Sequence, residues 1–98
     1  MSKVEASSNV VLVGRKPVMN YVVACLTYFN QRVNTVTLRA RGSAISKAVD
    51  TVELLRRAFV SDLLIDGIST GTEIVEWNER RSNISTIEIV VRKPEALQ

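Results

Sequence analysis

Histidine is absent from this 98-residue chain, and Cys25 is its only cysteine. Without His there is no imidazole general base, no Ser-His-Asp triad and no ordinary zinc ligand set. One Cys cannot form an internal disulfide framework, and it suits a reducing compartment. No metal or cofactor is therefore expected. Aromatic residues are scarce too: Tyr21, Tyr28, Phe29, Phe59 and Trp77. None has the spacing of an RNA-recognition strand motif, so any nucleic-acid binding should lean on backbone charge and shape. Apolar runs extend for only a few residues, too short to span a membrane, and MSKVEASSN lacks the apolar stretch of a signal peptide. A chain this short has little room for a deep substrate cavity. What remains is an ordinary globular mixture, 46% hydrophobic and 23% charged, with net charge +3.

The charge is uneven. Residues 1–47 carry Lys3, Arg15, Lys16, Arg32, Arg39, Arg41 and Lys47 against the single acid Glu5, whereas acids outnumber bases in residues 48–98. Such asymmetry suits a basic face. Scattered solubilising charge is the plain alternative, and the positions decide between them.

Residues 9–13, NVVLV, are β-branched and end at Gly14, which predicts a strand buried on both faces. Pro17 suits a helix start, and Val18, Val22, Cys25 or Leu26, and Phe29 form a helical stripe to about Gln31. NTVTLRA alternates, with Val36, Leu38 and Ala40 on one side, as a half-exposed strand does. Gly42-Ser43 breaks it. Ser43 is the expected N-cap of a second helix that runs to about Phe59. Leu63–Trp77 and Ile84–Arg92 read as strands joined by the polar turn Asn78–Asn83. The expected fold is an α+β two-layer sandwich of order β-α-β-α-β-β, with a mixed four-stranded sheet and both helices on one face. The expected domain spans 9–93, with flexible tails at 1–8 and 94–98.

Two consequences follow. A right-handed β-α-β crossover makes the first two strands parallel, so the loops after them share one edge. Arg15, Lys16, Arg39 and Arg41, joined by Lys47, then gather beside two helix N-termini, and an anionic partner would explain that concentration. The last hairpin is also too long for the sheet. Leu63–Trp77 would reach about 50 Å if continuous. Its polar stretch Ser69–Glu73 predicts a bulge or kink. Beyond it should project an arm tipped by Arg80, Arg81 and Asn83, able to enter a nucleic-acid groove.

Catalytic chemistry is hard to place. Cys25 lies on the apolar helix stripe. Gly14-Arg15-Lys16 lacks the glycine spacing of a phosphate-binding Walker loop. Asp50 and Glu53, three apart on a helix, read as surface ion-pairing residues before they read as an acid/base pair.

The stretch Asn9 to Tyr21, NVVLVGRKPVMNY, closely resembles the opening of the Alba family of archaeal chromatin proteins. Arg39 to Glu53, RARGSAISKAVDTVE, and Ser85 to Ile89 resemble it as well, so the similarity covers residues 9–93. The resemblance implies the same fold, also that of the C-terminal domain of a bacterial translation initiation factor. It further implies a non-enzymatic homodimer, or a heterodimer with a paralogue, that coats double-stranded DNA, binds RNA and associates with the chromosome in the cytoplasm. In the family, the loop before the first helix meets the phosphate backbone and the hairpin arms reach the minor groove. Lys16 stands at the family's acetylatable lysine. Arg15 stands where many members carry Lys, so acetylation would act on Lys16 alone. Phe59 matches an aromatic used between neighbouring dimers, although core packing alone would also account for it. A subunit of an RNA-processing ribonucleoprotein is the alternative reading. The hairpin's apolar residues, Trp77 among them, offer surface for a second copy.

Overall fold

In the computed structural model, residues 9–94 are described. The expected tails, apart from the half-buried Pro94, lie outside the described residues. The elements are β1 (Val10–Leu12), α1 (Val18–Asn30), β2 (Thr35–Arg41), α2 (Ile45–Leu54), β3 (Leu64–Trp77) and β4 (Arg80–Arg92). A 3₁₀ turn, Gly42–Ala44, precedes α2, and a wider π turn, Leu55–Phe59, extends it. Sheet order is β1-β2-β4-β3, with β1 parallel to β2 and the other pairs antiparallel. The two-layer β-α-β-α-β-β arrangement agrees with the sequence reading.

Alternation builds the core. Val36, Leu38 and Ala40 of β2 and Ile89 and Val91 of β4 are buried against the helices. They meet Val22, Cys25 and Phe29 from α1 and Ala48, Val52 and Leu55 from α2 and its extension. Each fully buried Leu or Val contributes about 1.5–3 kcal/mol relative to exposure. Burial also pushes the Cys25 thiol up to about 12, because a thiolate there would lose its hydration. Thr51 is the buried polar residue of this layer. Its hydroxyl donates to the Lys47 carbonyl at 2.8 Å, so it adds no unsatisfied group.

Four local expectations are corrected. β1 is not buried on both faces: Val11 and Val13 face the helices, whereas Leu12 is 70% exposed, because no layer covers the other side of the sheet. Ser43 is not a side-chain cap. The chain leaves β2 through Gly42 at φ 57° and tightens into the 3₁₀ turn, which places Ala44 at the N-cap of α2 with no side-chain hydrogen bond. The bulge falls at Asp66, between Ile65 and Gly67, and not in Ser69–Glu73, which pairs continuously with β4. Finally, the arm's turn is only Asn78-Glu79, at φ 52° and 63°. Two left-handed residues match the right-handed twist of a hairpin, so strand pairing runs to Trp77 and Arg80.

The bulge has a local consequence. The Arg92 guanidinium donates to the Asp66 carboxylate at 2.8 and 3.3 Å. That hydrogen-bonded charge pair raises the already high pKa of Arg92 and fastens the base of the hairpin. Beyond it the arm extends away from the helices and gives the molecule its 57 × 35 × 21 Å shape.

Candidate nucleic-acid interface

β1 is followed, after Val13, by the loop Gly14-Arg15-Lys16-Pro17, which is held from two sides. The Tyr21 hydroxyl, one turn into α1, accepts the backbone N–H of Gly14 at 2.9 Å and of Lys16 at 3.0 Å. Lys47, half-buried on α2, donates its Nζ to the carbonyls of Lys16 at 2.8 Å and Arg15 at 3.2 Å. Donors and acceptors of the loop backbone are thus answered from both helices, while the Arg15 and Lys16 side chains stay exposed. Among the described residues neither side chain has a carboxylate partner. The result is a rigid loop carrying two available positive charges.

Arg39 and Arg41 share the edge but not the environment. Alternation in β2 turns both onto the open sheet face, away from the helices. There Arg39 pairs with Glu88 of β4, and Arg41 pairs with Glu73 of β3 at 2.8 Å. These pairs flank an open groove of about 670 Å³, bounded by Leu12 on one side and Gly71 and Thr72 on the other. Both are solvent-exposed pairs, worth about 0–1 kcal/mol each, so a phosphate can displace the carboxylate at small cost. The structure therefore brings Arg15, Lys16 and Lys47 together and sets Arg39 and Arg41 apart on the adjoining face.

The remaining residues expected to bind nucleic acid lie on the arm. Arg81 meets Glu76 at 3.4 Å across the ladder. Arg80 and Asn83 are exposed in β4 rather than in a loop, and Arg80 has no ion pair among the described residues. Phe59 closes the π turn 47% exposed, which argues against a purely core role. Glu53 is engaged by Arg56 at 2.7 Å, and Asp50 is exposed, so these two form no acid/base site. Among the described residues no group of three His, Cys, Asp or Glu could hold a metal ion, and no helix is long and apolar enough to cross a membrane.

Sequence reasoning missed the anchoring role of Tyr21 and assigned Lys47 only a phosphate contact. A tyrosine hydroxyl four residues after Pro17, on an otherwise apolar stripe, was the available signal. The partners Glu73 and Glu88 depend on strand register and carried no local signal.

The Alba family model matches residues 9–89. The chain belongs to the Alba family. "DNA/RNA-binding protein Alba" of Methanocella arvoryzae is 48% identical over 89 residues, covering 90% of this chain and 93% of the relative. "DNA/RNA-binding protein Alba 1" of Archaeoglobus fulgidus is 45% identical, covering 89% and 98%. The solved structure of Alba from Thermoplasma volcanium aligns with TM-score 0.81 at 43% identity, covering 86% of this chain and 99% of that one. Alba proteins are nucleic-acid-binding architectural proteins and not enzymes.

Proposed function

We propose that this chain binds double-stranded DNA without sequence specificity, coats and compacts it as a dimer on the chromosome, and also binds RNA. The observation that carries this reading is the braced loop. Arg15 and Lys16 are exposed and, among the described residues, have no carboxylate partner, on a backbone fixed by Tyr21 and Lys47. With the backbone already fixed, only side-chain freedom is lost when these cations meet phosphates, and they release condensed counterions from the nucleic acid. Arg39 and Arg41 join by exchanging carboxylate for phosphate. Arg80, Arg81 and Asn83 then reach a flanking groove from each arm.

Dimer formation, with a second copy or with a paralogue, is supported by exposed apolar residues on the helix side of the molecule, namely Val49 of α2 and Ile68 of β3. Phe59 is available for contact between neighbouring dimers. Acetylation of Lys16 would remove one of the two exposed loop charges and weaken binding. The names of the relatives cover both nucleic acids, so service in an RNA-processing particle is the second reading. Titration of matched DNA and RNA duplexes separates the two.

The decisive test is binding to several unrelated duplexes across a salt series. The expected outcome is similar affinity for all, with log affinity falling linearly against log salt at about 0.9 per phosphate contact. A salt-insensitive complex, or strong discrimination between duplexes, contradicts the proposal. Light scattering that finds a monomer at micromolar concentration removes the two-armed grip.

A further inference from the structure

The arm ends in an exposed indole. Trp77 is 75% exposed, more than the other large hydrophobic residues found at the surface. It immediately precedes the Asn78-Glu79 turn and pairs across it with Arg80. Flanking a two-residue turn, the two side chains stand on the same face of the ribbon.

The ion pair between Arg41 and Glu73 identifies that face. Glu73 reaches Arg41, so it lies on the open side of the sheet. Strand alternation places Val75 and Trp77 on the same side. The indole thus continues the face that carries Arg39 and Arg41, about 13 Å further along the strand from Glu73. Glu76 is on the opposite face, where it meets Arg81 at 3.4 Å. Trp77's cross-strand neighbour is therefore a cation without an ion pair among the described residues.

A second copy of the chain is a poor match for this indole. Its neighbours on that face are Val75, Ser82 and Arg80, too little apolar area for a stable protein contact. A flat aromatic beside a free guanidinium at the end of a narrow ribbon fits a nucleobase and its phosphate instead. Bases in a duplex already stack on their neighbours, whereas an unpaired base has an open face.

We propose that Trp77 is a stacking site for an unpaired nucleobase, with Arg80 holding the adjoining phosphate. Single-stranded nucleic acid, or the loop of a folded RNA, lies along the open sheet face from Arg41 to the arm tip. This inference rests on the nucleic-acid-binding reading, but it assigns a different binding mode to a different surface from the braced loop.

The chain contains one Trp, so tryptophan fluorescence, excited selectively over the two tyrosines, reports this site alone. The test titrates the full chain with oligothymidylate and, separately, with a duplex of the same nucleotide count, at matched low salt. Trp77→Ala and Trp77→Phe are titrated alongside by anisotropy of labelled oligonucleotide, with circular dichroism as the check on folding. The expected result is strong quenching by oligothymidylate and little by duplex. Trp77→Ala should weaken oligothymidylate binding roughly 5- to 160-fold, the range expected for one stacked base. Trp77→Phe should recover part of the loss, and duplex affinity should change less than twofold. Duplex binding with no quenching by oligothymidylate, or equal loss on both ligands, overturns this inference and leaves the duplex reading intact. Failure to bind either ligand overturns both.

Discussion

The cations of this protein divide into two populations that differ in what faces them. Arg15 and Lys16 stand on a braced loop with no carboxylate partner among the described residues. Arg39, Arg41 and Arg81 each meet a glutamate. By charge alone the groups are equivalent. By available charge they are not, since a phosphate must displace a carboxylate from the second group. The difference teaches that a count of Lys and Arg overstates an interface whose cations are partly answered by the protein itself. The pairs remain weak enough to exchange, so on the proposed reading the second group would act as a reserve.

The largest expected effect breaks this contrast at its stronger side. Replacing both Arg15 and Lys16 by Ala should lower duplex affinity about 60-fold at 0.1 M salt, because each lost phosphate contact is worth about 0.9 log units per decade of salt. The salt slope should flatten by about 1.8. Anisotropy titrations over a salt series measure both. Arg41→Ala should cost less, under about eightfold, because that charge starts from a carboxylate. Glu73→Gln sharpens the comparison further. It frees Arg41 and removes a repelling charge, so affinity should rise a few-fold with a steeper salt slope. A fall in affinity would show that the pair positions Arg41 instead of competing for it.

Bracing has its own signature. Tyr21→Phe removes the acceptor for two backbone N–H groups and should destabilise the fold by about 1–2 kcal/mol, as read by denaturant unfolding. Faster amide exchange at Gly14 and Lys16 should accompany it. The smallest effect concerns Cys25, which lies in the core on α1. Its thiol should resist a disulfide-exchange reagent at pH 8 until the protein unfolds. Its raised pKa in the folded state, about 12 against an ordinary 9.0, means the unfolded chain gives up its proton first. That stabilising contribution is therefore complete below pH 9 and is lost between pH 9 and 12. Cys25→Ala should remove that part of the alkaline destabilisation.

Much of the fold was legible because local chemistry and tertiary environment agree. The alternation of Val36, Leu38 and Ala40, the helix start after Pro17 and the break at Gly42 each hold in three dimensions. Two misreadings share a cause. Ser69–Glu73 is polar because no helix covers that part of β3, yet polarity in a strand reads as irregularity. Leu12 is apolar but open, since β1 has only one covered face. The two-residue turn escaped notice because Glu79, unlike Gly, carries no signal for φ above zero. Register was beyond reach, because Glu88 meets Arg39 only through pairing between residues 49 positions apart. The site was therefore legible as a gathering of positive charge, and illegible as a division between free and paired cations.

The most direct test of that division is a chemical-shift map of the isotope-labelled protein titrated with a short DNA duplex at low salt. The account predicts that the earliest and largest perturbations fall on Gly14, Arg15, Lys16 and Lys47, with Arg39 and Arg41 following as duplex is added. Perturbations centred on the outer surface of α1, with residues 14–16 unmoved, would contradict it.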